Sequence, residues 1–218
     1  MKIAILGGSG RTGQRVIEEG LKRGYEIFAL VRSPDKVQID NAALHLIQGS
    51  PTNLEDVRKT LHSVDAVVSA LNVNRASDLP WAKVISPNDL ISSSIKNAIE
   101  VMQKENIKRI VSISAYGARD TRAAVGAFGR LFFYHTKIKF AYLDHERQEE
   151  LLEASDLDFT AIRPTRLSEQ ENSKEIVVSI QGVPKPRFKI SRRNLARFII
   201  DIIENGKYVR QFPVLSEH

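Results

Sequence analysis

Apolar and polar positions follow two periods along this chain. Short continuous apolar runs at residues 2–6, 26–31, 44–48, 65–71, 109–114 and 159–163 read as strands covered on both faces. Between them, residues 11–23, 54–61, 88–105 and 145–155 carry apolar residues at helical spacing. Val16, Ile17 and Leu21 share one face of the first helix, and Thr52 or Asn53 caps the second, with Glu55 and Asp56 in its first turn. Strand alternating with helix predicts parallel strands joined by crossover helices. The expected fold is α/β, a Rossmann-type doubly wound parallel sheet with helices on both faces.

Beyond Arg163 the alternation loosens. Residues 176–180 and 211–215 read as strands and residues 192–204 as a helix capped by Ser191, with Pro184 and Pro186 interrupting the segment between. These pieces predict a small C-terminal lobe over the carboxyl edge of the sheet. No linker or internal repeat divides residues 1–218, so a single domain is expected. Two connections, residues 72–87 and 115–142, are long enough to suggest function. The second holds Gly117, Gly126 and Gly129 with Phe128, Phe132, Phe133 and Tyr134, which could form a substrate lid or, over residues 131–134, a helix packed on the core.

The first strand runs directly into Gly7-Gly8-Ser9-Gly10-Arg11-Thr12-Gly13, and the first helix opens there. At this position the glycine triplet carries a mechanism. Gly7 permits the tight turn, Gly10 lets the backbone approach a pyrophosphate, and Gly13 lets helix and strand pack closely. The N–H groups of the first helical turn, with the helix dipole, favour the phosphates. The second strand selects the dinucleotide. A site for NAD(H) places an acid about 20 residues after the turn, to hold the ribose hydroxyls. Arg32 stands there instead, and a guanidinium suits a 2′-phosphate. Arg11 and Lys36 can add charge to the same pocket, while Asp35 comes late and reads as a helix cap. NADP(H) is expected rather than NAD(H).

Composition narrows the classes further. The chain of 218 residues has no cysteine, which excludes disulfides, thiolate nucleophiles and cysteine-ligated metals. His45, His62, His135 and His218 have no metal-ligand spacing, so no metal is expected. The N-terminal apolar run is too short for a signal peptide and no run is long enough for a membrane span, predicting a soluble, cytoplasmic protein. The net charge of +6 suits a solvated surface or an anionic ligand. The densest basic cluster, Arg187, Lys189, Arg192, Arg193 and Arg197, has only Phe188 and Phe198 among it and reads against nucleic acid.

The glycine turn, Val31-Arg32-Ser33, Asp65-Ala66-Val67-Val68, Val111-Ser112-Ile113-Ser114-Ala115, Ile162-Arg163-Pro164-Thr165 and Ile190-Ser191-Arg192-Arg193-Asn194-Leu195-Ala196 together resemble the atypical short-chain dehydrogenase superfamily. Within it the chain is similar to the NAD(P)H-binding, NmrA-like group that includes biliverdin-IXβ reductase/flavin reductase. The resemblance implies that the turn glycines, Arg11 and Thr12 hold the pyrophosphate and Arg32 the 2′-phosphate. Gly49 and Ser50 would flank the adenine, although many relatives have Asp in place of Ser50. Ala70, Leu71 and Asn72 would line the nicotinamide ribose. Ser114 and Ala115 would lie beside the nicotinamide, with Pro164 and Thr165 on its far side.

The chain departs from the superfamily at its usual catalytic pair, a tyrosine with a lysine four residues on. Tyr142 is followed at that spacing by Glu146, Lys137 is preceded by Phe133, and Tyr134 and Lys137 fall one residue short. Carbonyl or alcohol chemistry through that pair is not expected. Hydride transfer to a conjugated acceptor remains open, because solvent or the acceptor can supply the proton. Candidate catalytic groups are Ser114 at a strand end, Tyr116 two residues on, and His145, whose neighbouring carboxylates could raise its pKa and which otherwise reads as a surface histidine near a helix start. Two functions fit: an NADPH-dependent reductase of a flavin-like or linear tetrapyrrole acceptor, acting as monomer or homodimer, or a non-catalytic NADP(H) sensor that reports to a partner through an exposed apolar patch.

Overall fold

The computed structural model describes residues 1–77, 79–170 and 174–218. Ten strands and six helices lie among the described residues: β1 (Lys2–Leu6), α1 (Arg11–Lys22), β2 (Glu26–Val31), β3 (Leu44–Gln48), α2 (Leu54–Leu61), β4 (Ala66–Ser69), α3 (Leu90–Lys104), β5 (Arg109–Ile113), α4 (Gly126–Tyr134), α5 (Lys139–Ala154), β6 (Asp158–Pro164), β7 (Arg166–Ser168), β8 (Ile176–Ser179), β9 (Lys189–Ser191), α6 (Arg192–Glu204) and β10 (Val214–Glu217). The main sheet has the order β3-β2-β1-β4-β5-β6-β10-β8. Every neighbouring pair is parallel except β10 and β8. The order reverses between β1 and β4, and a crevice at such a switch point is where open α/β sheets bind ligands.

Alternation within β1 divides the core. Ile3 and Ile5 pack with Val16 and Ile17 of α1 and Ile199 and Ile203 of α6. Ala4 and Leu6 face the other way, toward Val57 and Leu61 of α2, Ile91 and Ile95 of α3 and Leu152 of α5. Each such fully buried aliphatic side chain contributes roughly 1.5–3 kcal/mol of hydrophobic stabilisation.

Two helix starts show how side chains settle the boundaries. Asn53 caps α2, its side chain accepting from the amides of Glu55 and Asp56 at 2.9 and 3.1 Å. The start of α3 is capped from a distance. Asp144 on α5 accepts from the Ile91 amide (2.7 Å), the Ser92 amide (3.2 Å) and the Ser92 hydroxyl (2.5 Å). Burial raises the Asp144 pKa, and these bonds oppose that rise.

Beyond β6, β10 and β8 continue the main sheet, and β7 pairs separately with β9. Ser191 caps α6 through the Asn194 amide at 3.2 Å, as its position predicts. Asp35 does not cap: it lies inside a short 3-10 turn, Pro34–Lys36, that Ser33 precedes. In the second long connection, α4 leaves Leu131 and Phe132 on the surface. Its end is anchored by the Tyr134 hydroxyl, within hydrogen-bond reach of the Gly117 carbonyl (3.0 Å) and Glu146 (2.8 Å). The Phe128 and Phe133 side chains lie outside the described residues. No described helix is long and apolar enough to cross a membrane.

Candidate functional site

The glycine turn sits at the switch point. Gly7 adopts φ +88° and its carbonyl accepts from the Gly10 amide at 3.1 Å, closing the turn. A Cβ on Gly13 would lie 2.2 Å from the Gly7 oxygen, so no larger residue fits while the turn keeps this shape. On the far side, a Cβ on Gly7 would come within 3.0 Å of Leu71 and 3.1 Å of the Ala70 carbonyl. The turn and the end of β4 are thus in contact. Gly10 gives α1 no side-chain cap and the first turn has no acid, which leaves its N–H groups suited to an anion. This cradle fits a pyrophosphate. Thr12 is half-buried there and Arg11 is exposed. The Arg11 guanidinium lies 3.5 Å from Glu169, whose same oxygen receives Arg192 at 2.7 Å.

Arg32 follows β2 directly and is exposed, and no described residue pairs with its guanidinium or with the Lys36 ammonium. The Lys36 carbonyl accepts from Gln14 at 3.3 Å, which ties this segment to α1. Beside it the Gly49 amide donates to the Val31 carbonyl at 2.9 Å. Asp56 fills the space against Gly49 and accepts from the Ser50 amide at 2.9 Å, while the Ser50 hydroxyl meets Thr52 at 2.8 Å. Ser50 is therefore engaged within its own loop. Asn72 is exposed beyond β4.

The ends of β5 and β6 are stitched together. The Ser114 amide donates to Ile162 and the Tyr116 amide to Pro164, at 2.6 and 3.1 Å. Thr165 is buried, and both its amide and its hydroxyl donate to the Leu215 carbonyl. Ala115 is half-buried at the same edge. The Ser114 side chain points into a polar network and not into open space. It is 3% exposed and its hydroxyl donates to Glu149 at 2.6 Å. Both Glu149 oxygens also receive Arg163, at 2.9 and 2.8 Å. Arg163 meets the exposed Asp120 at 2.7 Å. Burial alone would lower the Arg163 pKa, but the two carboxylates reverse this and raise it. Tyr116 is half-buried, and desolvation raises its phenol pKa, so it holds its proton at neutral pH.

His145 corrects the sequence expectation. Because α5 begins at Lys139, His145 lies inside the helix and is 4% exposed. Its Nδ1 lies 2.7 Å from the Gln148 amide nitrogen, which also donates to the Ile113 carbonyl at 3.0 Å. Nδ1 is therefore the acceptor. Burial pushes the pKa down to about 4, and the neighbouring Asp144 is turned to α3, so no carboxylate raises it. The imidazole is buried, its Nδ1 is taken up by Gln148, and it is neutral at neutral pH.

Sequence reasoning assigned no role to Glu149, Asp120 or Arg163. One signal was available: an arginine inside the apolar run Phe159-Thr160-Ala161-Ile162-Arg163 requires a buried carboxylate partner. Taken together, the carboxyl ends of β1 to β6 supply an anion cradle, a free guanidinium and a polar network.

Comparisons with known proteins agree with this fold. The family described as NAD(P)H-binding matches residues 7–206. The uncharacterised protein YwnB of Bacillus subtilis is 39% identical over 70 residues, which span 32% of this chain and 31% of that protein. Among solved structures, a short-chain dehydrogenase/reductase from Veillonella parvula in complex with NADP superposes with a TM-score of 0.80 at 17% identity, covering 99% of this chain and 94% of that one. ChuY, an anaerobilin reductase from Escherichia coli O157:H7, gives 0.80 at 17% identity over 100% and 97% of the two chains.

Proposed function

The chain belongs to the NAD(P)H-binding family, and from that premise we propose that it is an NADPH-dependent reductase of a planar conjugated acceptor such as a flavin or a linear tetrapyrrole. The observation that carries this reading is Arg32, exposed at the end of β2 where an NAD(H) site would present a carboxylate. Arg32 and Lys36 hold the 2′-phosphate. Gly7, Gly10, Arg11, Thr12 and Gly13 hold the pyrophosphate, and Gly49 and Ser50 border the adenine. Ala70, Leu71 and Asn72 line the nicotinamide ribose. Ser114, Ala115, Pro164 and Thr165 border the nicotinamide. The bound dinucleotide supplies the hydride. The Glu149–Arg163 pair fixes Ser114, and the protonated phenol of Tyr116 is the donor nearest this edge in sequence. Lacking a tyrosine–lysine pair, the site suits acceptors whose own conjugation stabilises the added charge. The likeness to ChuY, named as a reductase of anaerobilin, supports the acceptor class.

A second reading, a non-catalytic sensor of NADP(H), is favoured by one observation: Leu79 and Ile85 in the connection after β4 are 56% and 62% exposed, as a docking partner would require. Mixing the protein with NADPH and FMN, FAD or biliverdin separates the two. The reductase predicts NADPH oxidation that rises with acceptor. Tight NADPH binding with no acceptor-dependent oxidation would transfer the assignment to the sensor.

A further inference from the structure

The connection after β4 folds back on itself. The Ile85 amide donates to the Asn74 carbonyl and the Ala76 amide to the Lys83 carbonyl, both at 2.9 Å, and Arg75 bridges Val84. Trp81 lies at the tip, 69% exposed. The Lys137 amide donates to the Pro80 carbonyl at 2.9 Å, holding this tip against the segment that leads into α5. Between them opens a groove of about 610 Å³, lined by Trp81, Lys83, Val84, Pro87, Lys137 and Phe140 among others. The described residues lining it include two ammonium groups and no carboxylate. Lys137 and Lys139 stand 5.9 and 5.3 Å from the Phe140 ring centroid, so the cationic character extends to that wall.

A large exposed indole leaves apolar surface in water, and with the two lysines among the described lining residues it suits a ligand with the complementary pair of properties. We propose that this groove binds a planar aromatic anion, its ring against Trp81 and Phe140 and its phosphate or carboxylate at Lys83 and Lys137. Identifying that anion as the acceptor rests on the reductase reading; binding in the groove does not. The segments that carry the two walls are held by backbone bonds, so changing the lysine side chains leaves those segments in place.

Trp81 is the only tryptophan in the chain, and its fluorescence reports on the groove directly. The full chain is titrated with FMN without NADPH, and then with riboflavin, which has the same ring and no phosphate. Saturable quenching is expected, with FMN binding about tenfold more tightly, as charge-assisted contacts imply. In the double variant Lys83→Gln/Lys137→Gln, FMN falls to the riboflavin level while NADPH affinity is unchanged. Absence of saturable quenching, or equal binding of FMN and riboflavin, overturns the proposal. Trp81→Leu separates it from the reductase reading. If FMN-dependent NADPH oxidation keeps its KM in that variant, the acceptor docks elsewhere and the identification of the groove's anion as the acceptor fails while the reductase stands. Groove binding as expected with no oxidation of NADPH upholds the groove and removes the reductase.

Discussion

Replacing Glu149 by glutamine keeps the shape of the side chain and removes its charge. In the folded protein that charge is 0% exposed and neutralises Arg163, itself 2% exposed. Losing one partner of a buried pair costs about 3–5 kcal/mol, because the remaining ion stays desolvated. Glutamine still accepts from Ser114 or Arg163, and Asp120 still reaches Arg163 at 2.7 Å, so the lower end of about 3 kcal/mol applies. In a domain of this size that is about 6–12 °C in Tm. Asp120 is exposed and screened, so Asp120→Asn should cost less than about 1 kcal/mol. The double variant Glu149→Met/Arg163→Met removes both ions and should recover most of the loss. Urea and thermal denaturation at pH 7 measure all three. If Glu149→Gln lies within 1 kcal/mol of the parent, or matches Asp120→Asn, the network carries no buried charge of consequence and the reasoning fails.

Gly13→Ala places a methyl group 2.2 Å from the Gly7 carbonyl oxygen, so the turn must open, and NADPH affinity measured by fluorescence should fall at least about tenfold with the circular dichroism of the fold retained. His145 has a folded pKa of about 4, below its unfolded value, so only the unfolded chain takes up its proton as pH falls from about 6.5 to 4. The contribution of His145 to stability is complete above pH 6.5 and falls by about 3 kcal/mol across that window. His145→Gln should flatten the dependence in urea melts, and an unchanged slope would show that His145 does not titrate there. Asp144→Ala strips the Ile91 and Ser92 amides of their acceptor at the start of α3 and should cost about 1–3 kcal/mol in the same assay.

The six parallel strands were legible because a strand buried on both faces must be a continuous apolar run, and the glycine cradle because its three small residues are required at fixed offsets from a strand. The start of α5 was not legible, and the misplacement of His145 follows from that. The buried face of this helix carries Asp144, His145, Gln148 and Glu149; Asp144, Gln148 and Glu149 bond partners far away in sequence, and His145 bonds Gln148. Polarity alone makes such a face look like surface. β7 and β9, three residues each, are too short to show a period and exist by pairing with one another. The Trp81 groove joins the connection after β4 to the segment leading into α5, where the Lys137 amide donates to the Pro80 carbonyl, a contact no local pattern contains.

The central claim is that Arg32 makes the cradle a site for NADP(H). Titrating the purified chain with NADPH and NADH, before and after Arg32→Ala, tests it most directly. Loss of one charge-assisted contact to a phosphate is about 1.5–3 kcal/mol, so NADPH should bind about 10–100-fold more tightly than NADH and lose that advantage in the variant. Equal affinity for the two nucleotides in the parent, or an NADPH preference undiminished in Arg32→Ala, would contradict the account.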